Sequence, residues 1–133
     1  MDMGLNGKVA WVAGATGAIG REIALGFARE GARVAVSART PEKVSALVRD
    51  IEAAGGAAKG YPLDVTDAAA AKKTAGAIAK DMGAIDILAV TVAVPAFGPF
   101  LEIDADVFRA ALEVKYLGYI ACLQAVLPHM DRQ

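Results

Sequence analysis

Cysteine and histidine are almost absent from this sequence: each occurs once in 133 residues, as Cys122 and His129. A single cysteine excludes an intrachain disulfide and is typical of a reducing compartment, so we expect a cytoplasmic protein with Cys122 as an inert core thiol. A lone histidine without clustered ligands gives no metal site, and we expect His129 to lie at a helix end without a catalytic role.

Excess charge of one sign and long hydrophobic runs are also lacking. The 14 basic and 15 acidic residues leave a net charge of -1, which excludes an electrostatic footprint for nucleic acid or an anionic membrane. No apolar run reaches the length of a membrane span, and the first residues are too short and acidic for a signal peptide. Hydrophobic residues make up 56% of the chain, enough for a buried core. We therefore expect one soluble domain over residues 1–133.

Two hydrophobic periods alternate along the chain and predict its fold. Short apolar runs predict strands at 8–13, 33–37, 57–63 and 85–94. Helical spacing predicts helices at 18–30, from Pro41 to near Gly55, at 66–82 and at 105–127. This alternation is typical of a parallel sheet with helices on both faces. We expect an α/β, Rossmann-like doubly wound fold of four strands in the order 3-2-1-4.

Side chains of the first two predicted helices are assigned to inner faces by their spacing. The first helix is expected to turn Ile19, Ile23 and Phe27 inward. Thr40 is the expected N-cap of the second helix, with Pro41 at its first position. Its expected inward residues are Val44, Leu47, Val48 and Ile51.

A glycine-rich segment lies between the first predicted strand and the first predicted helix. Three glycines at this spacing allow a tight turn, close approach of the backbone to a pyrophosphate, and close helix–strand packing. The phosphates would bind free N–H groups at the helix N-terminus, where the helix dipole favours negative charge. We expect a dinucleotide site; the alternative is a turn needed only for packing. The loop residues expected to contact the cofactor are Gly14, Thr16, Gly17, Ala18, Ile19 and Gly20.

The end of the second predicted strand indicates which cofactor is preferred. NAD-specific sites usually carry an acid about 20 residues after the glycine loop, where it binds the ribose 2′-hydroxyl. Residues 37–40 hold no carboxylate, and Arg39 is able to form charge-assisted bonds with a 2′-phosphate, assisted by the hydroxyls of Ser37 and Thr40. We expect NADP(H), with NAD(H) as the weaker ligand. The alternative is that Arg39 is a solvated residue at a strand end.

Several segments match one known family in combination. They are the first strand with its glycine loop at 9–20, Ser-Ala-Arg at 37–39, Leu-Asp-Val-Thr at 63–66, Ile-Asp-Ile-Leu at 85–88 and Leu-Pro-His-Met at 127–130. Together they resemble the short-chain dehydrogenase/reductase family over essentially the whole chain. The resemblance implies an oxidoreductase that interconverts alcohols and carbonyls. It also implies that the Asp64 carboxylate and the Val65 backbone contact the adenine of the cofactor.

The sequence departs from that family after the fourth strand and in the last helix. The family usually has Asn-Asn-Ala-Gly where this chain has Val-Thr-Val-Ala at 90–93. Apolar and β-branched residues there favour a longer, buried strand in place of a polar cleft floor. The family's catalytic-site asparagine is replaced by Lys115, which cannot accept a hydrogen bond and which we expect to be solvated.

The family's catalytic Tyr-x-x-x-Lys pair is missing from the sequence. None of the three tyrosines, Tyr61, Tyr116 and Tyr119, has a lysine four positions later. The family's tyrosine is the acid/base and its lysine lowers the tyrosine pKa, so the proton donor for carbonyl reduction is lacking. We expect no catalytic residue here, and a chain truncated at Gln133, before the segment that would carry the pair.

Truncation would leave apolar surface without a partner. The strand predicted at 85–94 would become an apolar sheet edge, which invites pairing with another chain. The last predicted helix carries only a narrow polar stripe of Arg109, Glu113 and Gln124, and needs burial on more than one side. We expect a homo-oligomer formed through this strand, this helix, or both.

Three functions remain open from the sequence alone. The first is an NADP(H)-binding module without catalysis. The second is an oxidoreductase completed by a complementary chain that supplies serine, tyrosine and lysine. The third is a scaffold, either a natural remnant or an engineered one, that self-associates and keeps the glycine loop only as architecture.

Overall fold

The computed structural model describes residues 1–130, and its centre is one parallel sheet. The strands are β1 Val9–Ala13, β2 Arg33–Ser37, β3 Ala57–Gly60 and β4 Ile87–Val90. Their order is β3-β2-β1-β4, with β1 in register between β2 and β4. This order confirms the predicted 3-2-1-4 topology. It places the carboxyl ends of β1, β2 and β4 at one edge of the sheet.

Helices cover both faces of this sheet, as predicted. On one face, α1 (Ala18–Arg29) and α2 (Pro41–Ala53) pack against the side chains of alternate strand residues such as Val12. On the other face, α3 (Ala68–Met82) and the last helix pack against residues such as Trp11. Period-two alternation along β1 therefore supplies two separate cores, one for each layer of helices.

The last helix, Ala105–His129, contains three different helical geometries. It comprises α4 (Ala105–Leu112), one turn of π-helix at Glu113–Leu117, α5 (Gly118–Val126) and a short 3₁₀ turn at its end. The prediction of a single regular helix is therefore corrected at the π turn. A Cβ on Gly118, the residue after this turn, would lie 2.8 Å from a Val65 methyl carbon. Glycine therefore lets the helix pack against Val65 more closely than a residue with a side chain would allow.

By length and composition alone, this last helix is able to cross a membrane. The expectation that no segment is long and apolar enough was therefore wrong. A core helix of a water-soluble protein meets the same criterion, and this helix packs against α3 and β4. The residues of α5 that the fold buries are Gly118, Ala121, Cys122, Ala125 and Val126.

Two strands, β3 and β4, are shorter than predicted by three residues or more, and the partner of β4 explains its length. Residues 85–94 were expected to be extended, but among the described residues β4 pairs only with β1, and β1 ends at Ala13. Thr91 makes the last backbone bond of this pair, donating its N–H to the Ala13 carbonyl oxygen at 2.9 Å. Beyond it no strand is available, because the chain turns at Gly14 with φ of 84°. The β3 strand similarly ends at Gly60, short of the predicted position 63.

The inner face of α1 also differs from the prediction. Ile19 is 72% exposed, and Ile23 and Phe27 are only partly buried. The fully buried positions of this helix are Gly20 and Ala24. Small residues at these positions bring α1 close to the sheet, which leaves the larger side chains at the margin of the contact. The inward residues predicted for α2 are confirmed, with Val44, Leu47 and Ile51 buried and Val48 half-buried.

Candidate functional site

A cavity of about 410 Å³ opens at the carboxyl edge of the sheet. In doubly wound sheets, ligands bind in the crevice at this edge, where the strand order reverses. Here the strand order reverses at β1, because β2 lies on one side of it and β4 on the other. The lining residues are Gly14, Thr16, Gly17, Ala38, Arg39, Thr40, Lys43, Leu63, Asp64, Val65, Thr66, Thr91, Val92, Ala93, Val94 and Val114.

The first turn of the glycine loop is fixed by packing. Gly14 has a positive φ, and a Cβ there would lie 2.8 Å from the Val92 nitrogen. A Cβ on Gly20 would collide with the Gly14 carbonyl oxygen. The N–H groups of Gly14 and Ala15 both donate to the Ser37 carbonyl oxygen, at 2.8 and 3.0 Å. Two of the three glycines are thus required by the architecture, whether or not a ligand binds.

Gly17 differs from the other two glycines. Its φ of −73° and ψ of 166° are open to any residue, and the nearest atom to an added Cβ is the Gly14 oxygen at 3.7 Å. Packing therefore gives no reason for a glycine at this position. It is the N-cap of α1 and lines the cavity, and within residues 1–130 no side chain caps this helix. The free N–H groups of the first turn of α1 are left available to an anionic ligand.

Of the predicted loop residues, the structure brings Gly14, Thr16 and Gly17 to the cavity wall. Gly20 is buried beneath the loop, where it allows the close approach of α1 to β1. Ala18 and Ile19 form the exposed first turn of α1 beside the cavity, so their contribution to a ligand would be their backbone N–H groups.

The end of β2 brings two cationic side chains to the cavity. Arg39 and Thr40 line it as predicted, and Lys43, in the first turn of α2, lies beside them. Thr40 occupies the predicted N-cap position, but its side chain forms no capping hydrogen bond within the part of the chain that the structure describes. Its hydroxyl is therefore available to a ligand.

Ser37 was expected to contact the cofactor, and the structure corrects this. Its side chain is 1% exposed and is not part of the cavity lining. The Ser37 hydroxyl accepts a hydrogen bond from the Trp11 indole N–H at 3.0 Å. A buried indole N–H requires an acceptor, and Ser37 supplies it inside the core.

Asp64 and Val65 both reach the cavity, but the Asp64 carboxylate is already engaged. Its Oδ1 accepts hydrogen bonds from the hydroxyl and the backbone N–H of Thr66, at 2.7 and 3.0 Å. These bonds, and to a smaller extent the charge of Arg39, lower the pKa of Asp64. The Asp64 carboxylate therefore holds the turn that leads into α3. It is a hydrogen-bond acceptor on the same side of the cavity as Arg39 and Lys43.

The opposite wall of the cavity is formed by the segment after β4. Val92, Ala93, Val94 and Val114 line this wall, and Thr91 supplies a hydroxyl. The Thr91 hydroxyl lies 3.0 Å from the Gly14 carbonyl oxygen, to which it donates. The second part of the expected long apolar strand, residues 91–94, is thus an irregular segment that forms a largely apolar cavity wall.

Two residues of the last helix lie near this wall. The Tyr119 hydroxyl donates to the Val92 carbonyl oxygen at 2.9 Å, which fastens the wall to the helix. Lys115 is exposed and does not line the cavity, which confirms the prediction of a solvated lysine. Val114, one residue earlier, faces the cavity in its place.

Charge is confined to one side of the cavity. Among the lining residues, the charged side chains are Arg39 after β2, Lys43 in the first turn of α2 and Asp64 after β3. The arrangement suits a ligand with a polar, anionic end at this side and an apolar ring at the other. Within residues 1–130, no group of three or more histidine, cysteine, aspartate or glutamate side chains comes together as a metal site.

Several lining residues were missed from the sequence. Lys43 could have been found, because it lies on the first turn of a helix that begins directly after Arg39. Thr91 and Val114 carried no signal in isolation, since a β-branched residue inside a strand-like run or on an apolar helix face is indistinguishable from a core residue. Thr91 reaches the cavity because regular pairing of β4 stops where β1 ends at Ala13. Val114 reaches it from the π turn of the last helix.

Comparisons with known proteins agree with this geometry. The family model for short chain dehydrogenases matches residues 8–133. D-threitol dehydrogenase of Mycolicibacterium smegmatis is 36% identical over 125 residues, which cover 94% of this chain and 48% of that protein. The chain spans about half the length of the curated relatives it matches.

Solved structures give the same result. The crystal structure of NAD⁺-bound xylitol dehydrogenase superposes with a TM-score of 0.89 at 32% identity, over 94% of this chain and 48% of that one. A metagenomic short-chain oxidoreductase in complex with NADP superposes with a TM-score of 0.84 at 33% identity, over 93% and 57%. With its strand order, its glycine loop and these matches together, the chain belongs to the short-chain dehydrogenase/reductase family.

Proposed function

We propose that this chain binds NADP(H) in the cavity, in preference to NAD(H), as the nucleotide-binding part of an alcohol–carbonyl oxidoreductase. Gly17 carries the proposal. Its lack of a side chain has no packing purpose, yet it opens the uncapped N-terminus of α1 to the cavity. A pyrophosphate at this place would accept hydrogen bonds from the free N–H groups and would be favoured by the helix dipole. Solved relatives with bound NADP and NAD⁺ support a nicotinamide nucleotide as the ligand.

The preference for NADP(H) rests on the charges at the end of β2. Arg39 and Lys43 line the cavity there, and in the described part of the chain neither forms an ion pair with a carboxylate. A 2′-phosphate would gain charge-assisted hydrogen bonds from Arg39, with the free Thr40 hydroxyl beside it. A ribose 2′-hydroxyl would find no carboxylate at the position that NAD-specific sites use.

We infer that the chain does not reduce carbonyls by itself. The apolar wall of Val92, Ala93, Val94 and Val114 offers no group that could donate a proton beside a bound nicotinamide. The sequence holds no Tyr-x-x-x-Lys pair. Oxidation of NADPH in the presence of a panel of aldehydes and ketones is expected to stay at the rate of the buffer. Turnover that disappears when Gly17 is replaced by valine would contradict this inference.

A second candidate is an oxidoreductase completed by another chain. The observation that favours it is apolar surface on the last helix, where Leu112, Tyr116, Leu123 and Leu127 are all exposed. Within residues 1–130, the outer edge of β4 is also unpaired. We propose that these surfaces mediate self-association or the binding of a complementary chain. The single buried thiol, Cys122, is in keeping with the cytoplasm as the proposed compartment.

Calorimetric titration of the purified chain with NADPH and with NADH tests the main proposal. We expect saturable binding of both, with NADPH the tighter ligand. Replacing Arg39 with aspartate should weaken NADPH binding by roughly 10- to 100-fold, the effect of losing hydrogen bonds to a charged group, and should improve NADH binding. Arg49→Asp makes the same charge change on the exposed face of α2 and is the control.

Each outcome of that titration has a distinct meaning. If neither nucleotide binds at millimolar concentration, the proposed function is wrong and the scaffold interpretation replaces it. If both bind but Arg39→Asp leaves the ratio of NADPH to NADH affinity as it was, the cofactor site is supported and the assignment of Arg39 is wrong. An equal loss in Arg39→Asp and Arg49→Asp would indicate a general effect of net charge.

A further inference from the structure

The Thr91 hydroxyl lies in a narrow space between the glycine loop and the first turn of α1. It is 3.0 Å from the Gly14 carbonyl oxygen and 3.3 Å from the Ala13 carbonyl oxygen, and it donates its one proton to this pair. A Cβ on Gly14 would come within 2.9 Å of it, and a Cβ on Gly20 within 2.7 Å. The Thr91 hydroxyl therefore occupies space that exists only because Gly14 and Gly20 have no side chains.

The Gly14 peptide is held from both neighbouring strands. On the β2 side its N–H donates to the Ser37 carbonyl oxygen at 2.8 Å. On the β4 side its carbonyl oxygen accepts from the Thr91 hydroxyl, while the Thr91 N–H donates to Ala13. Thr91 is fixed in turn, because the next residue, Val92, accepts a hydrogen bond from the Tyr119 hydroxyl. The last helix thus supports the loop indirectly. The Tyr119 hydroxyl holds Val92, and the hydroxyl of the adjacent Thr91 holds Gly14.

The second donor near the Gly14 carbonyl oxygen is the N–H of Gly17, at a long 3.4 Å. These two donors have different consequences for a ligand. While Thr91 satisfies the carbonyl, the Gly17 N–H is held only weakly inside the loop and remains available to a phosphate. Without the hydroxyl, the partly buried carbonyl would have to rely on the Gly17 N–H, since an unsatisfied acceptor is costly. That shift would draw a donor away from the cavity.

We propose that Thr91 is a positioning residue for the pyrophosphate contacts of the glycine loop, an inference that rests on the proposed nucleotide-binding function. It acts through Gly14 and does not itself need to touch the ligand. Its hydroxyl makes these contacts at a position where the family usually carries an amide side chain. The role belongs to the hydroxyl, so serine should preserve it, and the nearly isosteric valine should abolish it.

The test compares two ligands that share the adenosine end of NADPH but differ in the pyrophosphate. Binding of NADPH and of 2′-AMP, which has no pyrophosphate, is measured by calorimetry for the wild type, Thr91→Val and Thr91→Ser. In Thr91→Val we expect NADPH binding to weaken by roughly three- to tenfold, the effect of one hydrogen bond, with 2′-AMP binding unchanged within about twofold. Thr91→Ser is expected to restore NADPH binding. Thr74→Val, the same change on α3 away from the cavity, is the control.

Loss of NADPH affinity without loss of 2′-AMP affinity supports the proposal. An NADPH affinity in Thr91→Val equal to that of the wild type overturns it, and so does an equal loss for both ligands, which would indicate general destabilisation. Should valine prevent folding, Thr91→Ser and Thr91→Ala make the same comparison with smaller side chains. If the wild type binds 2′-AMP as tightly as NADPH, the pyrophosphate contributes nothing to affinity. The inference about Thr91 is then wrong, while the proposed function stands. A wild type that binds neither would overturn the proposed function as well.

Discussion

Three glycines at the same loop have three different physical roles. Gly14 supplies a backbone conformation with φ of 84°, and Gly20 makes room for the Gly14 carbonyl oxygen. Gly17 does neither, because an added Cβ would meet only an ordinary contact at 3.7 Å. Spacing alone suggests three equivalent residues, whereas their surroundings separate two architectural positions from one that faces a ligand.

This difference predicts opposite results for two alanine variants. Gly20→Ala should lower the free energy of unfolding by about 1–3 kcal/mol or more, because it forces a methyl group into a filled space. Gly17→Ala should change it by less than about 1 kcal/mol. The same Gly17→Ala change should weaken NADPH binding, because the methyl group lies where the pyrophosphate must approach the backbone. Urea denaturation and calorimetry measure the two effects. Unchanged NADPH affinity in Gly17→Ala would place the phosphates elsewhere.

Cys122 gives a pH-dependent prediction at the scale of one residue. Burial raises the pKa of its thiol to about 11 from an ordinary value of 9.0, because the interior disfavours the thiolate. The unfolded chain therefore loses this proton at lower pH than the folded chain. The contribution of the thiol to stability is fully present below about pH 9 and is lost as the pH rises toward 11.

The measurement is urea unfolding between pH 8 and pH 11 for the wild type and Cys122→Ala. Other groups also titrate in this range, including Tyr119, whose pKa is raised mainly by burial, so the difference between the two proteins is the informative quantity. The alanine variant should be less stable at pH 8, because it leaves a cavity, and should lose less stability on going to pH 11. Parallel pH profiles for the two proteins would contradict the assignment.

At the scale of elements, two helices begin in the same way in sequence but differ in structure. Asp67 is the N-cap of α3, and its side chain accepts a hydrogen bond from the Ala70 N–H at 2.9 Å. Thr40 is the N-cap of α2, but no such bond is formed by its side chain within residues 1–130. The helix start at Thr40 is fixed instead by Pro41 at the first position, whose φ already suits a helix.

The two caps should therefore contribute unequally to stability. Asp67→Ala is expected to lower the free energy of unfolding by about 1 kcal/mol, the usual loss for a capping side chain. Thr40→Ala serves as the matched control and should cost no more than a few tenths of a kcal/mol. Thermal or urea unfolding measures both. Equal losses would mean that the Thr40 hydroxyl caps α2 in solution and is not available to a ligand.

The helices show which parts of the fold the sequence predicts well. The starts of α2 and α3 are marked by local signals, a proline and a capping side chain, and their inward residues follow the 3.6-residue period. Strand order followed from the alternation of strands and helices. The length of β4 could not be predicted in this way, because it depends on where a different strand, β1, turns into the glycine loop.

The candidate site was predictable to a similar degree. Glycines between a strand and a helix, and Arg39 at the next strand end, are signals carried by position along the chain. Ser37 was misassigned because its partner, Trp11, is 26 residues away in sequence and lies on the neighbouring strand. Thr91 was missed for a similar reason, since its hydroxyl acts on a loop 77 residues earlier. Contacts between strands decide both roles, and these contacts appear only in the folded chain.

At the scale of the whole molecule, the last helix is buried on one side and exposed on the other. The last helix buries Ala121, Cys122 and Val126 against α3 and β4. Its outer side exposes leucine and tyrosine side chains at intervals of roughly four and seven residues, which is the spacing of one helical face. These exposed residues are Leu112, Tyr116, Leu123 and Leu127. We name them the outer stripe.

The outer stripe predicts that the chain self-associates. Burial of a single leucine side chain contributes about 1.5–3 kcal/mol, so several together are able to drive pairing of two copies. Light scattering of the purified chain should give a mass above that of the monomer, increasing with protein concentration. The double variant Leu112→Lys with Leu123→Lys should shift the mass toward the monomer, because pairing would bury two charges. Ser45→Lys, on the exposed face of α2, is the control.

The two proposed interfaces give different outcomes in this experiment. If pairing uses the outer stripe, the lysines dissociate the complex and Ser45→Lys does not. If pairing uses the free edge of β4, the lysine variant should remain associated, because strand pairing depends on backbone hydrogen bonds along Ile87–Val90. Val90→Pro would then weaken pairing, because N–H groups alternate in direction along a strand and that of Thr91 donates to β1, so the Val90 N–H faces the free edge. A wild type that stays monomeric at high concentration would contradict both proposed interfaces. The outer stripe would then be assigned to contact with a different chain.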